Sequence, residues 1–421
     1  MKLLWFSYFI PYPPRGGNFQ RSFNLLRQCS KKYEINLVAL NQQAYAVQEL
    51  KDYKQELNKY CATVEFWELP YRWRGAMWWL RLLWSPLWRT PFACRAVWSP
   101  RLAERWRRIL QEHPGALLHY DSPDLGLFLP APGFRKVLNH HNCESAMLER
   151  RAEAEPNFLK RAYLRMYAAK QTNLEREICG SFEVNVAVSE LDAQMLQKKS
   201  PRAHFHLVEN GTDTDYFHPM DTKEDPLSLI FAGSLDWHPN VSAVEFFVRD
   251  IWPLLKRQCP EAKLLLAGRN PAPSIRHAAN ADRNIVIGAN PADIRPWMAR
   301  GSVYICPILE GGGTRLKILD AMAMGKAIVS TSVGCEGLRA RHGENILVAD
   351  SPQDFVDAIM RLFSDEQLRR TLGNAGRALV EAHYSWQTVG ARLEEAYRCA
   401  LNPESCALRA NESGIVNATR L

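Results

Sequence analysis

Glu310-Gly311-Gly312-Gly313-Thr314, followed by Arg315, Lys317 and Asp320, concentrates more chemistry than any other stretch of the chain. Three consecutive glycines let a backbone come close to a ligand, and the first N–H groups of a following helix aim at it. With the positive helix end behind them, and Arg315 and Lys317 beside them, these groups suit a phosphate. Asp320, one turn inside the helix, is an acceptor for hydroxyl groups. The residues read as a nucleotide-phosphate site with a hydroxyl reader. The alternative is an ordinary strand-to-helix turn with solvated basic residues.

The elements that must position these residues are legible around them. Val303 to Ile308 is an apolar run that reads as a buried strand, and Ala327 to Ser330 as a second. Between them Arg315 to Met324 has helical periodicity, with Leu316, Leu319 and Met322 or Ala323 inward. The same alternation runs through the first half. Strand Leu3–Ile10 leads to a loop containing Gly16 and Gly17 and then to helix Phe19–Lys32. Strands Ile35–Leu40, Ala116–Tyr120, Lys136–Asn139 and Val184–Val188 follow. The last three run into Asp121, into His140 and His141, and into Ser189, which caps helix Glu190–Lys198. A long helical stretch, Glu144 to Cys179, is broken at Pro156. Residues 200–227 are rich in Pro, Asp and Thr and read as a joint. Beyond it, strand Leu227–Ala232 leads to Gly233, helix Val241–Gln258 follows, and strand Ala262–Ala267 leads to Gly268-Arg269.

This pattern gives the α/β class, with two doubly wound Rossmann-like domains. Ligands of such sheets bind beyond the carboxyl ends of the strands, where every loop named above lies. The expectation is a cleft with Gly16, Gly17, Asp121, His140, His141 and Ser189 on one edge, and Gly233, Arg269 and Gly311–Thr314 on the other. The expected organisation is one domain at 1–205, a second at 206–384, a helix at 385–401 and a tail at 402–421.

Composition narrows the class. At 421 residues, 47% hydrophobic and 23% charged, the chain has the balance of a soluble two-domain globular protein. Its cysteines are scattered singly, without C-x-x-C pairs or His/Cys clusters at zinc spacing, so no metal centre is expected and the thiols read as reduced in a cytoplasmic setting. The apolar N-terminus reads as a first strand rather than a signal peptide. Residues 71–110 hold nine arginines against a single acid, Glu104, so this window equals the whole chain's formal +8. It also holds Trp73, Trp78, Trp79, Trp84, Trp88, Trp98 and Trp106. Interleaved Arg and Trp suit an anionic membrane surface on the inner face. The competing readings are a helical hairpin with its tryptophans turned to its own core, and a nucleic-acid surface; no nucleic-acid partner is expected.

Several segments occur in a recognisable order: Pro14–Asn18; Val208 to Phe217 (VENGTDTDYF); Phe231 to Trp237 (FAGSLDW); Gly313 to Met322 (GTRLKILDAM); and Tyr384-Ser385-Trp386 before a last helix. Together they resemble the retaining glycosyltransferases of family four with the GT-B fold, and among these the sugar transferases of exosortase and exopolysaccharide systems. The resemblance implies a nucleotide-diphosphate sugar held mainly by the C-terminal domain, a lipid-linked or saccharide acceptor held by the N-terminal one, and no other cofactor. It also implies transfer with retention, the leaving phosphate taking the acceptor proton. The family's paired glutamates fall here on Gly312 and Asp320, with Glu310 two residues before the first. Its separate Arg/Lys pair is not evident after Gly233, which leaves Arg315 and Lys317 for the diphosphate. Asp121, His140 and His141 are the candidates for contacting the donor sugar or orienting the acceptor; a structural role is the alternative for each. Other readings are a nucleotide-sugar epimerase or phosphorylase of the same fold, and a non-catalytic membrane-associated partner.

Overall fold

The computed structural model describes residues 1–69, 75–130, 132–310 and 314–402. Gly311, Gly312 and Gly313 lie outside the described residues, as do Trp73 and the tail from 403 on. The chain divides into two units, Met1–Glu209 with the residues from Val389 on, and Asn210–Thr388.

In the first unit seven strands form one parallel sheet: β1 (Lys2–Ser7), β2 (Glu34–Leu40), β3 (Thr63–Trp67), β4 (Leu117–Tyr120), β5 (Lys136–Asn139), β6 (Val184–Ala187) and β7 (Phe205–Leu207). Their order is β3-β2-β1-β4-β5-β6-β7. Strand β1 pairs with β2 and β4, with Trp5 opposite Leu37 and His119. A strand covered on both faces must be apolar at nearly every position, and β1 is buried from Leu3 to Ser7. It is shorter than the apolar run Leu3–Ile10 suggests, because the chain turns into the proline loop at Tyr8. The long helical stretch is two helices, Glu144–Ala154 and Phe158–Cys179, separated around Pro156 as its missing N–H requires. From Val389 on, the last helix (Trp386–Leu401) packs in this unit. A Cβ on Gly390 would lie 2.6 Å from the Gln28 side chain, so only glycine lets the two helices approach this closely.

In the second unit six parallel strands follow the same logic: β8 (Asp225–Ala232), β9 (Lys263–Gly268), β10 (Ile285–Ala289), β11 (Gly301–Cys306), β12 (Ala327–Ser330) and β13 (Leu347–Val348). The order is β10-β9-β8-β11-β12-β13. The helix expected over Val241–Gln258 is a helix His238–Phe246, a wide turn Phe247–Ile251 and a helix Trp252–Gln258. Pro253 lacks an N–H for the carbonyl one turn before it, and the wider turn absorbs the defect. The helices Val47–Leu57, Phe92–Val97 and Pro273–Ala281 have no counterpart among the elements expected from the sequence.

In each sheet the strand order reverses at one place, between β1 and β4 and between β8 and β11. The loops leaving those strands at their carboxyl ends diverge there and leave room for a ligand. Gly16, Gly17 and Asp121 follow β1 and β4, and Gly233 and Thr314 follow β8 and β11, whereas His140 and His141 follow β5, Ser189 follows β6 and Arg269 follows β9.

Candidate functional sites

In the second unit, Gly233 follows β8, and the helix Leu316–Ala323 carries Lys317 and Asp320 after β11. Ile318, Leu319, Met322 and Ala323 are buried, which seats the helix on the sheet with its start over the β8/β11 reversal. Lys317 is half-buried. Its ammonium lies 4.3 Å from the centre of the Phe231 ring and donates a hydrogen bond to Asn240 Oδ1. It has no ion-pair partner among the described residues. Burial pushes its pKa down from 10.5 to about 8, with the charge of Arg315 acting in the same direction.

The glycines next to this cation are required by geometry. Gly233 has φ 153°, and a Cβ there would come within 3.3 Å of Lys317 Nζ. A Cβ on Gly268 would fall 1.6 Å from the Gly233 carbonyl oxygen, so the loops after β8 and β9 touch through backbone alone. Arg269 Nη2 donates to Ser234 Oγ at 2.9 Å, and Asn240 Nδ2 donates to the Ser234 carbonyl at 2.7 Å. The result is a cation beside glycine backbone at the strand reversal.

The joint segment fixes the start of the same helix. Asn210 Nδ2 donates to Thr314 Oγ1 at 2.6 Å, and Thr212 Oγ1 donates to Asp320 Oδ1 at 2.6 Å. Burial raises Asp320 from 3.8 to about 7; the Thr212 bond opposes this, and Asp213 adds to it. Near neutral pH this carboxyl is poised between accepting and donating. Glu310 lies 2.9 Å from Nδ1 of His238, which begins the helix after β8.

In the first unit, Gly16 (φ 127°) and Gly17 open the helix Gly17–Cys29 after β1. The buried Arg21 on that helix donates to Asn139 Oδ1 at 3.0 Å and to the Glu209 carbonyl at 2.9 Å. Burial pushes its pKa down to about 10. Asn139 Nδ2 in turn donates to Asp121 Oδ1 at 2.8 Å, and Ser7 Oγ to Asp121 Oδ2 at 3.2 Å. Asp121 is wholly buried. Burial, its largest single influence, favours the neutral form, but the His119 and His141 rings at 3.7 and 3.4 Å outweigh it and keep the carboxylate ionised. Both oxygens are thus engaged inside the unit, and Asp121 holds the ends of β1, β4 and β5 in register.

His140 and His141 follow β5, where successive side chains point to opposite faces. His140 is wholly buried, with Nε2 3.2 Å from Asn185 Oδ1, and burial lowers its pKa to about 4, so it is a neutral core residue. His141 Nε2 lies 2.9 Å from the Asp121 carbonyl oxygen, which only accepts, so this nitrogen carries the proton. Its Nδ1 is buried without a protein partner. Ser189 caps helix Glu190–Lys199, accepting from the Asp192 N–H at 3.0 Å.

Arg21, Asn139, Asn210, Thr212 and Asn240 were not singled out by sequence. Asn210 and Thr212 lie in a recognised motif and could have been found there. Lys317–Asn240 spans 77 positions and Arg21–Asn139 spans 118, and no local pattern marks either pair. Among the described residues no cluster of His, Cys, Asp and Glu is arranged to hold a metal ion.

Among the described tryptophans of 71–110, Trp78, Trp88 and Trp98 are half-buried. Trp106 is buried, stacked on Phe6 at 4.4 Å and donating to Tyr120 at 2.9 Å. Trp79 and Trp84 are more than half exposed. The core reading therefore holds for Trp106 and fails for these two.

Comparison with known proteins follows the same two-part division. Residues 72–216 match the family profile "Glycosyltransferase Family 4", and residues 226–365 match "Glycosyl transferases group 1". A putative glycosyltransferase, YtcC, of Bacillus subtilis is 24% identical over 262 residues, covering 55% of this chain and 63% of its own. The phosphatidyl-myo-inositol mannosyltransferase of Mycobacterium tuberculosis is 25% identical over 229 residues, covering 50% and 58%. An uncharacterised 44.6 kDa protein of the Klebsiella pneumoniae cps region is 28% identical over 142 residues, covering 32% and 36%. The chain thus spans between about a third and under two thirds of the length of these relatives. Among solved structures, sucrose-phosphate synthase from Thermosynechococcus elongatus superposes with a TM-score of 0.70 at 15% identity, covering 96% of this chain and all of that one. Anabaena HepE in complex with UDP gives 0.64 at 13% identity, covering 94% and 100%. The chain therefore carries a family 4 and a group 1 glycosyltransferase segment, lying mainly one in each unit, on the parallel α/β architecture of the GT-B fold.

Proposed function

We propose that the protein is a glycosyltransferase that moves a sugar, with retention, from a nucleotide-diphosphate donor to a lipid-linked or saccharide acceptor in cell-surface glycan synthesis. The observation that carries this reading is Lys317: a half-buried cation without an ion-pair partner among the described residues, beside the glycine backbone at the β8/β11 reversal. A protein does not ordinarily retain such a charge unless a ligand completes it. A diphosphate would do so, and would also take the N–H groups at the start of helix Leu316–Ala323.

On this reading the chemistry follows from charge. Breaking the bond between sugar and phosphate builds positive charge on the anomeric carbon and negative charge on the leaving diphosphate. Lys317, Arg315 and the helix start meet the developing oxyanion without reorganising. Asp320, poised near pH 7 and oriented by Thr212, meets the ribose hydroxyls; at one methylene shorter than glutamate it reaches them from closer to the helix. His141 presents the lone pair on Nδ1 to a sugar hydroxyl, while Asp121, itself held by Asn139, positions it from behind. The leaving phosphate takes the acceptor proton.

The family profiles, the UDP bound to HepE and the mannosyltransferase and cps-region relatives support the donor class and the glycan context. The test is a panel of UDP, GDP and ADP sugars with glycan and polyprenyl-linked acceptors. Acceptor-dependent release of nucleoside diphosphate, with the anomeric configuration preserved by NMR, is the expected result. Release without acceptor would favour a hydrolase or epimerase, and an inverted product would overturn retention.

A further inference from the structure

The helix Ala76–Trp84 and the turn after it present their apolar side chains the wrong way round for a self-contained fold. Met77, Trp79, Leu80, Leu83, Trp84 and Leu87 are each between half and three-quarters exposed, and no residue of this helix is buried. They recur at helical spacing along one outward face. The inward side is occupied instead by Trp78, edge-on to Phe92 at 5.4 Å, and by Arg81, which donates to the Arg95 carbonyl at 3.3 Å.

The segment is fastened rather than frayed. Lys170, on helix Phe158–Cys179, donates to the Ser85 and Pro86 carbonyls at 2.6 and 2.9 Å, and the Ala93 N–H donates to the Tyr167 hydroxyl at 3.3 Å. An apolar patch of this size, held in place by the body of the unit, marks an interaction surface.

We infer that this face docks onto an anionic lipid bilayer, lying in its interface with the six apolar side chains among the acyl chains. Charge decides between occupants. Between Glu68 and Glu104 the sequence has no acid, while Arg89 and Arg95, which follow the helix, are exposed, Arg89 with Glu177 at 3.2 Å. A second copy meeting it through a two-fold axis would bring these arginines against themselves, whereas acidic headgroups complement them. Tryptophan suits the boundary, with its ring in the apolar layer and its N–H at the headgroups. Nine residues at about 1.5 Å each make a helix of about 14 Å, less than half a bilayer's apolar core. No helix among the described residues is long and apolar enough to cross a membrane. The helix lies on the bilayer rather than spanning it. This inference does not depend on the catalytic reading.

The experiment is co-sedimentation of the full chain with vesicles of phosphatidylcholine alone, or of phosphatidylcholine and phosphatidylglycerol in equal parts. The wild type should partition to the mixed vesicles at least about tenfold better than to the neutral ones. Leu80→Ser combined with Leu83→Ser should lower that partition by about tenfold or more, with the thermal unfolding midpoint unchanged because both side chains are exposed. Quenching by brominated acyl chains gives a readout in the wild type that does not rely on that variant. It should report tryptophans at the interface and should fall when Trp79→Phe and Trp84→Phe are combined. Equal partition of wild type and double-serine variant, no preference for anionic vesicles, or unquenched tryptophans would overturn the proposal. A vesicle-free dimer that the double-serine variant dissolves would replace it with self-association.

Discussion

Replacing Lys317 with methionine separates a ligand-binding cation from a structural one, because the two roles give opposite signs. In the free protein the ammonium titrates near 8 rather than 10.5, so the folded state holds its proton less tightly than the unfolded chain. That cost is carried in full below about pH 8 and relieved as the pH rises towards 10.5. A shift of roughly 2.5 units corresponds to about 3 kcal/mol, reduced to about 1–2 kcal/mol for a half-buried group that water still reaches. Methionine keeps the stem over Phe231 and removes the charge. It also leaves Asn240 Oδ1 without its donor, which returns about 1 kcal/mol. The net effect on stability at pH 7 is therefore between zero and a gain of about 1 kcal/mol. Binding of a diphosphate loses a charge-assisted hydrogen bond of about 1.5–3 kcal/mol, or roughly ten- to a hundredfold in affinity. Calorimetric titration with UDP and GDP, paired with denaturant unfolding, reads both quantities. Affinity within twofold of wild type would show that the cation does not meet the phosphate. A loss of stability above about 2 kcal/mol would show that it is there for the fold.

The remaining expectations follow from the same geometry. An anion raises the pKa of Lys317, so diphosphate affinity should be flat below about pH 8 and decline by up to about tenfold per unit above it; a flat profile from pH 7 to 9.5 contradicts this. Asp320 titrates near 7 when folded and near 3.8 when unfolded, so its contribution favours the fold at low pH and is lost as the pH rises through 7. Asp320→Asn should accordingly match wild type in melting at pH 4 and exceed it at pH 8, and equal midpoints at pH 8 would refute the shift. His141→Ala should lower kcat by about a hundredfold in addition to the stability lost with its Asp121 contact, whereas His140→Ala should act only by lowering the unfolding midpoint; steady-state kinetics of the folded variants and calorimetry of both distinguish them. Gly268→Ala forces a methyl onto the Gly233 carbonyl and should destabilise the protein by about 2–4 kcal/mol in denaturant unfolding.

Much of the fold was legible because strands buried on both faces must be apolar and the helices between them must be periodic. Val303–Ile308, Ala327–Ser330 and the break at Pro156 are examples. The Phe247–Ile251 turn was not, since Pro253 sits in an otherwise unbroken helical pattern and the chain chose to widen rather than stop. The phosphate-site candidates Thr314, Arg315, Lys317 and Asp320 were visible as types and spacings within one segment. Their partners were not, because Asn240 and Thr212 reach them from distant parts of the chain. The adjacent histidines could not be told apart by sequence, and burial separates them. In the Trp/Arg segment composition alone left Trp84 and Trp106 equivalent, and packing sends one to the surface and the other to the core.

The most direct test of the central claim is a crystal structure of the full chain with a bound nucleoside diphosphate. The diphosphate should lie against the start of helix Leu316–Ala323, within hydrogen-bond reach of Lys317 Nζ and the backbone at Gly233. A diphosphate bound elsewhere, or a helix start closed by protein side chains while the nucleotide is held by other residues, would contradict it.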